Sequence, residues 1–358
     1  MDNRPLVAGP FAHGGMSTPM LMAWVMIALT PATVFGLGLY GWPAIFLFAV
    51  TVAAAVAAEA ACLRLAGKPL AALGDGSAAL SGWILALTLP PWAPWWIGAA
   101  GAAIAMIVGK HVFGGLGQNL FNPAMVARVA LLISFPLEMT RYVPPRPIYA
   151  DGAPGFADAL AITFGFHGHV DMDAVSSASL LGHAKTELAR GLPLSETLGG
   201  FDPTQLFLGF ATGSMGETSA ALLLLGGALL LALRIVSWHT PAALILGVLL
   251  PAAAAHAADP ERFLSPLVHA FAASTVFGAL FIATDLVTSP VTRAGQMIFG
   301  AGCGVLIFVI RTWGGYPEGM AFAILLMNAA TPLIDRWVRP RVYGRDRRGR
   351  PLPAKETR

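Results

Sequence analysis

Two apolar stretches 200 residues apart end on the same glycine pair: IGAAGAAIAMIVGKHVFGG (97–115) and IFGAGCGVLIFVIRTWGG (298–315). Both approach the roughly 20 apolar residues of a membrane-spanning helix, and small residues let such helices pack closely. The whole chain shares this character: 56% of its 358 residues are hydrophobic, 11% are charged, and the mean hydropathy is +0.69. Soluble proteins carry about 25% charged residues. The composition therefore excludes a soluble enzyme, a nucleic-acid-binding protein and a disordered scaffold, and it predicts an all-α integral membrane protein.

Apolar runs give the number of membrane helices. The first nine lie at 19–39, 43–63, 72–90, 95–113, 121–137, 204–237, 241–257, 264–284 and 296–312, and a tenth lies at 320–335. Residues 204–221 and 222–237 cannot both cross the membrane, because the polar run ATGSMGETS interrupts the first segment. They are therefore counted as one membrane helix that is preceded by a short surface or re-entrant segment. The sequence thus predicts about ten transmembrane helices.

The matching stretches indicate an internal repeat. Pro90 corresponds to Pro290 at the same offset, and NPAMVAR (122–128) resembles NAATPLIDR (328–336) after a short insertion. Convergent membrane composition is the alternative explanation. If the repeat is real, each half has five helices, and this odd number requires the two halves to be inverted in the membrane. Inverted repeats place the functional site near the midplane, where helices are broken.

Charge placement predicts the orientation and the domains. Basic residues gather at one side of the predicted helices, and nine of the 22 lie after Ile334, so the positive-inside rule places both termini in the cytoplasm. Eight of the 19 acidic residues lie in the long polar segment 138–203, which becomes an outer loop. We predict a first five-helix repeat (1–137), this periplasmic loop (138–203), a second five-helix repeat (204–335) and a basic cytoplasmic tail (336–358).

Polar residues inside the apolar runs are the candidate functional residues. The charged ones are Glu59, Asp75, Lys110, Arg128, Glu217 and Asp285. An intramembrane charge costs about 2.5–3.5 kcal/mol on insertion scales, so each one points to function. For Lys110, Arg128 and Asp285, snorkelling to the inner interface explains the sequence equally well. Three asparagines, Asn119, Asn122 and Asn328, lie in Gly- and Pro-broken segments, where amides suit a planar polar ligand.

The sequence contains no catalytic or metal-ligand constellation. GGLGQN follows a membrane helix and lacks the strand–helix context of a dinucleotide site, and there is no Walker A motif. His167 and His169 form an isolated pair that is more typical of a loop than of a metal site. The outer loop also holds DMDAVSSASLLGHAKTEL (171–188), whose composition alone indicates a turn and a helix start.

A family resemblance adds to this interpretation. Three segments carry it: GSAALSGWILALTLPPWAPWWIG (76–98), KHVFGGLGQNLFNPAMVARVALLISFP (110–136) and FIATDLVTSP (281–290). They closely resemble the D subunit of the Rnf complex, the bacterial ion-translocating ferredoxin:NAD oxidoreductase, and the B subunit of the sodium-translocating NADH:quinone oxidoreductase. The resemblance covers nearly the whole chain. The length of the chain favours the Rnf subunit over the subunit of the sodium-translocating enzyme. It implies ten helices in two inverted five-helix repeats, similar to urea transporters.

The resemblance also implies a covalent cofactor. Members of this family carry FMN joined by a phosphoester to a threonine in a Ser/Thr-Gly-Ala-Thr motif, and a flavin transferase installs it. The matching residues are Ser176-Ser177-Ala178-Ser179, so the attachment falls on Ser179. Serine replaces the acceptor threonine, and Ser177 replaces glycine. Asp173 matches the acidic position of the motif, and Lys185 is expected to help neutralise the phosphate.

The resemblance further implies a second, non-covalent flavin, riboflavin, within the membrane. Asn119, Asn122 and Asp285 fall in the matching broken segments, and we assign them to this flavin or to the ion path. The predicted function is a redox subunit, inactive alone, that relays electrons through flavin in a translocase with other Rnf subunits as partners in the bacterial inner membrane. The alternatives are a channel or transporter for a small polar solute on the same fold and a passive assembly subunit.

Overall fold

The fold is helical throughout. The structure, a computed structural model, describes residues 16–165, 179–197, 203–210, 212–271, 275–316, 318–340 and 350. These residues form mainly α-helices joined by short turns, and five of the helices are long and apolar enough to cross a membrane. The all-α membrane class predicted from composition is therefore confirmed.

The first half contains five α-helices. They are α1 (Thr18–Tyr40), α2 (Trp42–Leu65), α3 (Ser77–Thr88), α4 (Trp95–Ile107) and α5 (Pro123–Ser134). Most of their ends lie within three residues of the ends predicted from the sequence, although α3 begins later and α4 ends earlier than predicted. A single residue, Gly41, separates α1 from α2, and its φ of 75° is a conformation that glycine adopts readily. Helices α3 and α5 have only 12 residues each, so each covers part of the roughly 30 Å apolar core of a membrane.

The polar segment 138–203 contains more secondary structure than the sequence indicated. Its helices, together with the one that follows it, are α6 (Pro136–Thr140), α7 (Phe156–Phe164), α8 (Leu180–Ala189), α9 (Leu194–Thr197) and α10 (Pro203–Leu208). The loop packs on one end of the helix bundle. There the Ile148 amide donates a hydrogen bond to the Gly38 carbonyl (3.0 Å), and the Phe156 ring lies 5.3 Å from that of Trp42.

The second half repeats the helical plan and contains a π-helical turn. Its helices are α11 (Ala220–Ala232), α12 (His239–Ala258), α13 (Pro266–Phe271), α14 (Thr275–Phe277), α15 (Arg293–Trp313) and α16 (Met320–Trp337). The predicted span 264–284 contains α13, α14 and a π-helical turn at Gly278–Ile282, and residues 272–274 lie outside the described part of the chain. Such turns are frequent at functional sites, and Asp285 lies three residues beyond this one.

Equivalent helices pack in equivalent ways in the two halves. Helix α4 packs along α2, as α15 packs along α12, and the halves meet through α1 with α11 and α5 with α16. Small residues make these close approaches: Gly98 packs against Thr51, and Gly247 packs against Ala301. This correspondence supports the internal repeat, whereas the inversion of one half relative to the other stays a prediction.

The tightness of this packing gives a stability prediction. A methyl group at Gly247 would lie 2.7 Å from the Ala301 carbonyl oxygen and 3.1 Å from its Cα, both parts of a backbone that cannot rotate away. We expect Gly247→Ala to lower the free energy of unfolding in detergent by about 1–3 kcal/mol through overpacking. The control is Gly38→Ala in α1, which has no atom within 4 Å and should gain up to about 1 kcal/mol of helix propensity. Equal effects of the two substitutions would contradict this account.

Five basic residues lie close to helix ends at the end of the bundle opposite segment 138–203. We call it the basic end, and it carries Arg64, Lys68, Arg234, Arg293 and Arg336. Polar contacts tie its connections together: Lys68 Nζ donates to the Gly114 carbonyl (2.9 Å), and the Val291 amide donates to Asp335 Oδ1 (3.2 Å). Of the charged residues predicted in the membrane, Glu59, Asp75, Lys110 and Asp285 lie toward this end, whereas Arg128 and Glu217 pair elsewhere.

Candidate functional site

The two halves meet at a buried junction of polar side chains. Asn122 is the N-cap of α5, and its Oδ1 accepts hydrogen bonds from the amides of Ala124 (3.1 Å) and Met125 (3.3 Å). Its own amide donates to Asn328 Oδ1 (3.1 Å), and its Nδ2 donates to Asp285 Oδ2 (3.3 Å). Asn122 and Asn328 are the two residues that the repeat matched, so equivalent positions of the halves contact each other.

Asp285 belongs to this junction because the chain leaves its helix after the π-helical turn. Its Oδ1 accepts from the Val287 amide (3.1 Å), and its Oδ2 accepts from Thr288 Oγ1 (3.2 Å) as well as from Asn122. Asn328 Nδ2 closes the arrangement by donating to the Thr288 carbonyl (3.2 Å). The hydrogen bonds fix the carboxylate in place beside the first half of the chain.

A cavity opens beside the junction. Including its open side it has ≈ 840 Å³ of atom-free space. Its polar lining residues include Ser77, Lys110, Asn119, Asn122 and Asp285. The remaining lining residues are largely apolar, with Leu80, Ile84, Leu280 and Phe281 among them. An apolar space with a few convergent polar groups is the usual form of a small-molecule site.

Asn119 is positioned to contact a ligand in this cavity. Its Nδ2 donates to the Phe121 carbonyl (3.1 Å), whereas its buried Oδ1 has no hydrogen-bond partner in the described part of the chain. A buried acceptor without a partner costs about 1–3 kcal/mol. A ligand or water that donates a hydrogen bond to Asn119 Oδ1 would remove that cost.

Lys110 reaches the cavity from a buried cluster of charges. Its side chain is 2% exposed, and its Nζ donates to Glu59 Oε1 (2.8 Å) and to Ser77 Oγ (2.7 Å). Ser77 Oγ in turn donates to Asp75 Oδ1 (2.5 Å). His111 Nε2 lies 2.9 Å from Glu59 Oε2 but lacks hydrogen-bond geometry. The structure therefore joins three of the charged residues predicted from the sequence in one hydrogen-bond network: Glu59, Asp75 and Lys110.

Ser179, the predicted attachment residue, begins a helix. It is the half-buried N-cap of α8, and its Oγ accepts a hydrogen bond from the Gly182 amide (3.3 Å). Serine is a preferred N-cap because its oxygen satisfies an amide of the first helical turn. Asp173, Ser176 and Ser177 lie outside the described residues.

Lys185 docks α8 onto the second half of the chain. Its Nζ donates to the carbonyls of Arg311 (3.1 Å), Gly314 and Tyr316 (3.2 Å), and Ile310 lies slightly farther at 3.5 Å. A cation suits the carbonyl-rich C-terminus of α15. Partial burial lowers the pKa of the Lys185 ammonium. Its polar contacts among the described residues are all with these carbonyls, so its predicted role toward a phosphate on Ser179 stays a prediction.

Comparison with known proteins assigns the chain to a family. The family model described as NQR2, RnfD, RnfE matches residues 6–344, nearly the whole chain. The chain belongs to the NQR2, RnfD, RnfE family. The resemblance drawn from three sequence segments is confirmed.

Curated relatives within the NQR2, RnfD, RnfE family are similar over almost their full lengths. A protein of Halorhodospira halophila is 53% identical over 97% of both chains, and one of Stutzerimonas stutzeri is 55% identical over 94% of this chain and 95% of its own. One of Rhodobacter capsulatus is 49% identical over 85% of this chain and 84% of its own. Each is named as the D subunit of an ion-translocating oxidoreductase complex.

A second group of buried charges lies away from the cavity of this family member. Arg128 Nη2 lies 3.9 Å from Glu217 Oε1, which joins the two halves of the chain, and Arg311 Nη2 lies 3.7 Å from Glu318 Oε1. Arg311 Nη1 also donates to the His269 carbonyl (2.9 Å). Arg128 and Glu217 were predicted from the sequence as functional candidates, but the pair formed by Arg311 and Glu318 was not predicted. No sequence signal identified Glu318, because it follows the second glycine pair in a segment with the composition of an ordinary turn.

Proposed function

We propose that this protein is the flavin-carrying membrane subunit of an ion-translocating oxidoreductase complex, with FMN esterified to Ser179 and a second flavin, riboflavin, in the cavity between the halves. The observation that carries the proposal is the near full-length similarity to relatives named as the D subunit of such a complex. That similarity supports an electron-transport subunit of an ion-translocating complex with other subunits as partners. The flavins and their sites are our inference.

The cavity suits the ring system of a flavin. Its apolar lining residues match the faces of a flat tricyclic ring, and its polar lining residues suit the ring's hydrogen-bonding edge. Asn119 Oδ1 would accept from the ring N–H, which gives this buried oxygen the partner it lacks. Asn122 and Asp285 hold each other in the same lining, so their orientation is fixed before a ligand binds.

The start of α8 suits a phosphoester. An ester oxygen at Ser179 would still accept from the Gly182 amide, and the attached phosphate would lie at the positive end of the helix. Esterification, with FAD as the FMN donor, forms the bond between Ser179 Oγ and the FMN phosphorus and breaks the pyrophosphate bond to that phosphorus, so that AMP leaves and the hydroxyl proton is released. When bound, the flavins supply the one- and two-electron transfers, while the protein sets their positions and potentials.

We also propose the orientation in the inner membrane. The basic end would face the cytoplasm together with both termini, and the loop carrying Ser179 would face the periplasm. The placement of Arg64, Lys68, Arg234, Arg293 and Arg336 supports this orientation, since these five lie close to the ends of membrane helices at the end of the bundle opposite the loop. A flavin on Ser179 would then lie on the outer side, and the cavity flavin near the inner side.

Two flavin measurements test the proposal. The protein, produced with its complex in a host that has the flavin transferase, should show ultraviolet-excited yellow-green fluorescence that migrates with the chain in SDS. Acid extraction of the folded complex should release riboflavin. Absence of flavin from both fractions would contradict the proposal and favour a channel or transporter for a small polar solute.

One substitution separates the two flavins. Asn119→Leu is expected to lower the extractable riboflavin about fivefold or more, because the buried ring edge loses a hydrogen bond worth roughly 1–3 kcal/mol. The covalent fluorescence should stay unchanged. The matched control is Gln118→Leu, which removes the neighbouring exposed amide outside the cavity lining. Unchanged riboflavin in Asn119→Leu would place the second flavin elsewhere.

A further inference from the structure

A second hollow opens at the basic end, where α11 ends and where α12 and α15 begin. Including its open side it has ≈ 1320 Å³ of atom-free space. Arg234, Trp238, His239, Arg293 and Gln296 line it. It adjoins the cavity described above, and the two share Ile235, Val236, Thr284 and Leu286. We call it the arginine hollow.

The electrostatics of the arginine hollow favour an anion. Its described lining contains two arginines and no carboxylate, and neither Arg234 nor Arg293 forms an ion pair within the described part of the chain. Both arginines are exposed. Two long helices, α12 and α15, also begin here, and the N-terminus of a helix carries partial positive charge.

Arg234 occupies a backbone position that usually selects glycine. Its φ is 56°, and among the described residues it alone has a positive φ without being glycine. It follows the C-cap of α11, where a left-handed residue ends many helices and glycine avoids the steric cost. An arginine at a backbone position that disfavours a side chain points to a purpose for that side chain beyond ending the helix.

The surroundings of the hollow are those of a membrane interface. Trp238 is 59% exposed, and Leu286, which also lines the hollow, is 57% exposed. Val291, Met297 and Ile298 add further exposed apolar surface around the start of α15. Tryptophan is enriched at the level of lipid head groups. A ligand here would thus have an anionic group between the arginines and apolar parts along the helices.

We propose that the arginine hollow binds the phosphate of an anionic phospholipid. Arg234 and Arg293 hold the phosphate through charge-assisted hydrogen bonds, and the acyl chains lie on the exposed apolar surface beside Leu286. Basic pockets between membrane helices on the cytoplasmic side are suited to such head groups. The bound lipid also covers the side of the flavin cavity at the four shared residues, but the lipid site does not require a flavin.

Native mass spectrometry of the intact complex tests this proposal. The complex is equilibrated with equal amounts of phosphatidylglycerol and phosphatidylcholine that have the same acyl chains. We expect the anionic lipid to be retained about tenfold or more over the zwitterionic one, since two arginines each add to the attraction. The double variant Arg234→Gly with Arg293→Gln should lose most of that preference. Glycine fits the backbone at position 234, so the variant is expected to fold.

The control variant is Arg336→Gln, an exposed arginine at the same end but outside the lining, which should keep the preference. Equal retention of both lipids, or an unchanged preference in the double variant, would overturn the proposal. If inorganic phosphate displaces phosphatidylglycerol when it is present at the same concentration, the proposal would be overturned in favour of a site for a free anion. A photoreactive group at position 238 that cross-links to another subunit rather than to lipid would overturn it by showing that a protein covers the hollow.

Discussion

Ser179→Ala is expected to abolish the ultraviolet-excited fluorescence that migrates with this chain in SDS. The substitution removes the only oxygen at this position that can form a phosphoester, so no flavin remains attached after denaturation. The half-buried Oγ and its place at the start of α8 make it the acceptor in our proposal. Electron transfer by the complex should fall with the flavin, whereas a passive assembly subunit would transfer electrons normally without Ser179.

The helix-capping role of Ser179 has to be separated from its role as acceptor. Loss of an N-cap costs about 0.5–2 kcal/mol, which is enough to loosen the start of α8 by itself. Ser179→Asn keeps an oxygen that accepts from the Gly182 amide but cannot form the ester, so it should also lack flavin. Ser179→Thr keeps a hydroxyl and should be flavinylated. Fluorescence that persists in Ser179→Asn would move the attachment to Ser176 or Ser177.

The apolar runs and the composition predicted the positions of the helices better than they predicted the contacts between helices. Apolar runs located the helices because the membrane requires long apolar segments whose backbone groups are satisfied internally. They did not predict the π-helical turn within 264–284, because such a turn leaves the apolar composition unchanged. The Asn122–Asn328 contact was implicit in the internal repeat, but only the packing of α5 on α16 brings the two residues together.

Side-chain partners were the part that the sequence could not supply. Lys110 and Asp285 were equally consistent with snorkelling and with function, because a single apolar run does not say which face of a helix is covered. The structure buries Lys110 at 2% exposure and gives Asp285 three hydrogen bonds. Lys185 was predicted to serve a phosphate from its sequence distance to Ser179 alone. Its contacts with the end of α15 depend on a part of the chain more than 100 residues away.

The buried pair of Lys110 and Glu59 gives the second large prediction. Lys110→Met is expected to lower the free energy of unfolding in detergent by about 3–5 kcal/mol, because the substitution leaves the carboxylate of Glu59 buried without its partner. The exposed fraction of Glu59 is 4%, so water cannot replace the ammonium. Thermal unfolding in detergent measures the change. The control is Lys68→Met, which removes an exposed lysine at the same end of the bundle.

The double variant Lys110→Met with Glu59→Gln separates the structural role of the pair from a role at the cavity. Removing both charges takes away the cost of an unpaired buried ion, so most of the lost stability should return. A double variant as unstable as the single one would contradict the pairing. Because Lys110 also lines the cavity, a stable double variant that no longer holds extractable riboflavin would assign the ammonium to the ligand. One that holds riboflavin normally would confine Lys110 and Glu59 to packing α2 against the end of α4.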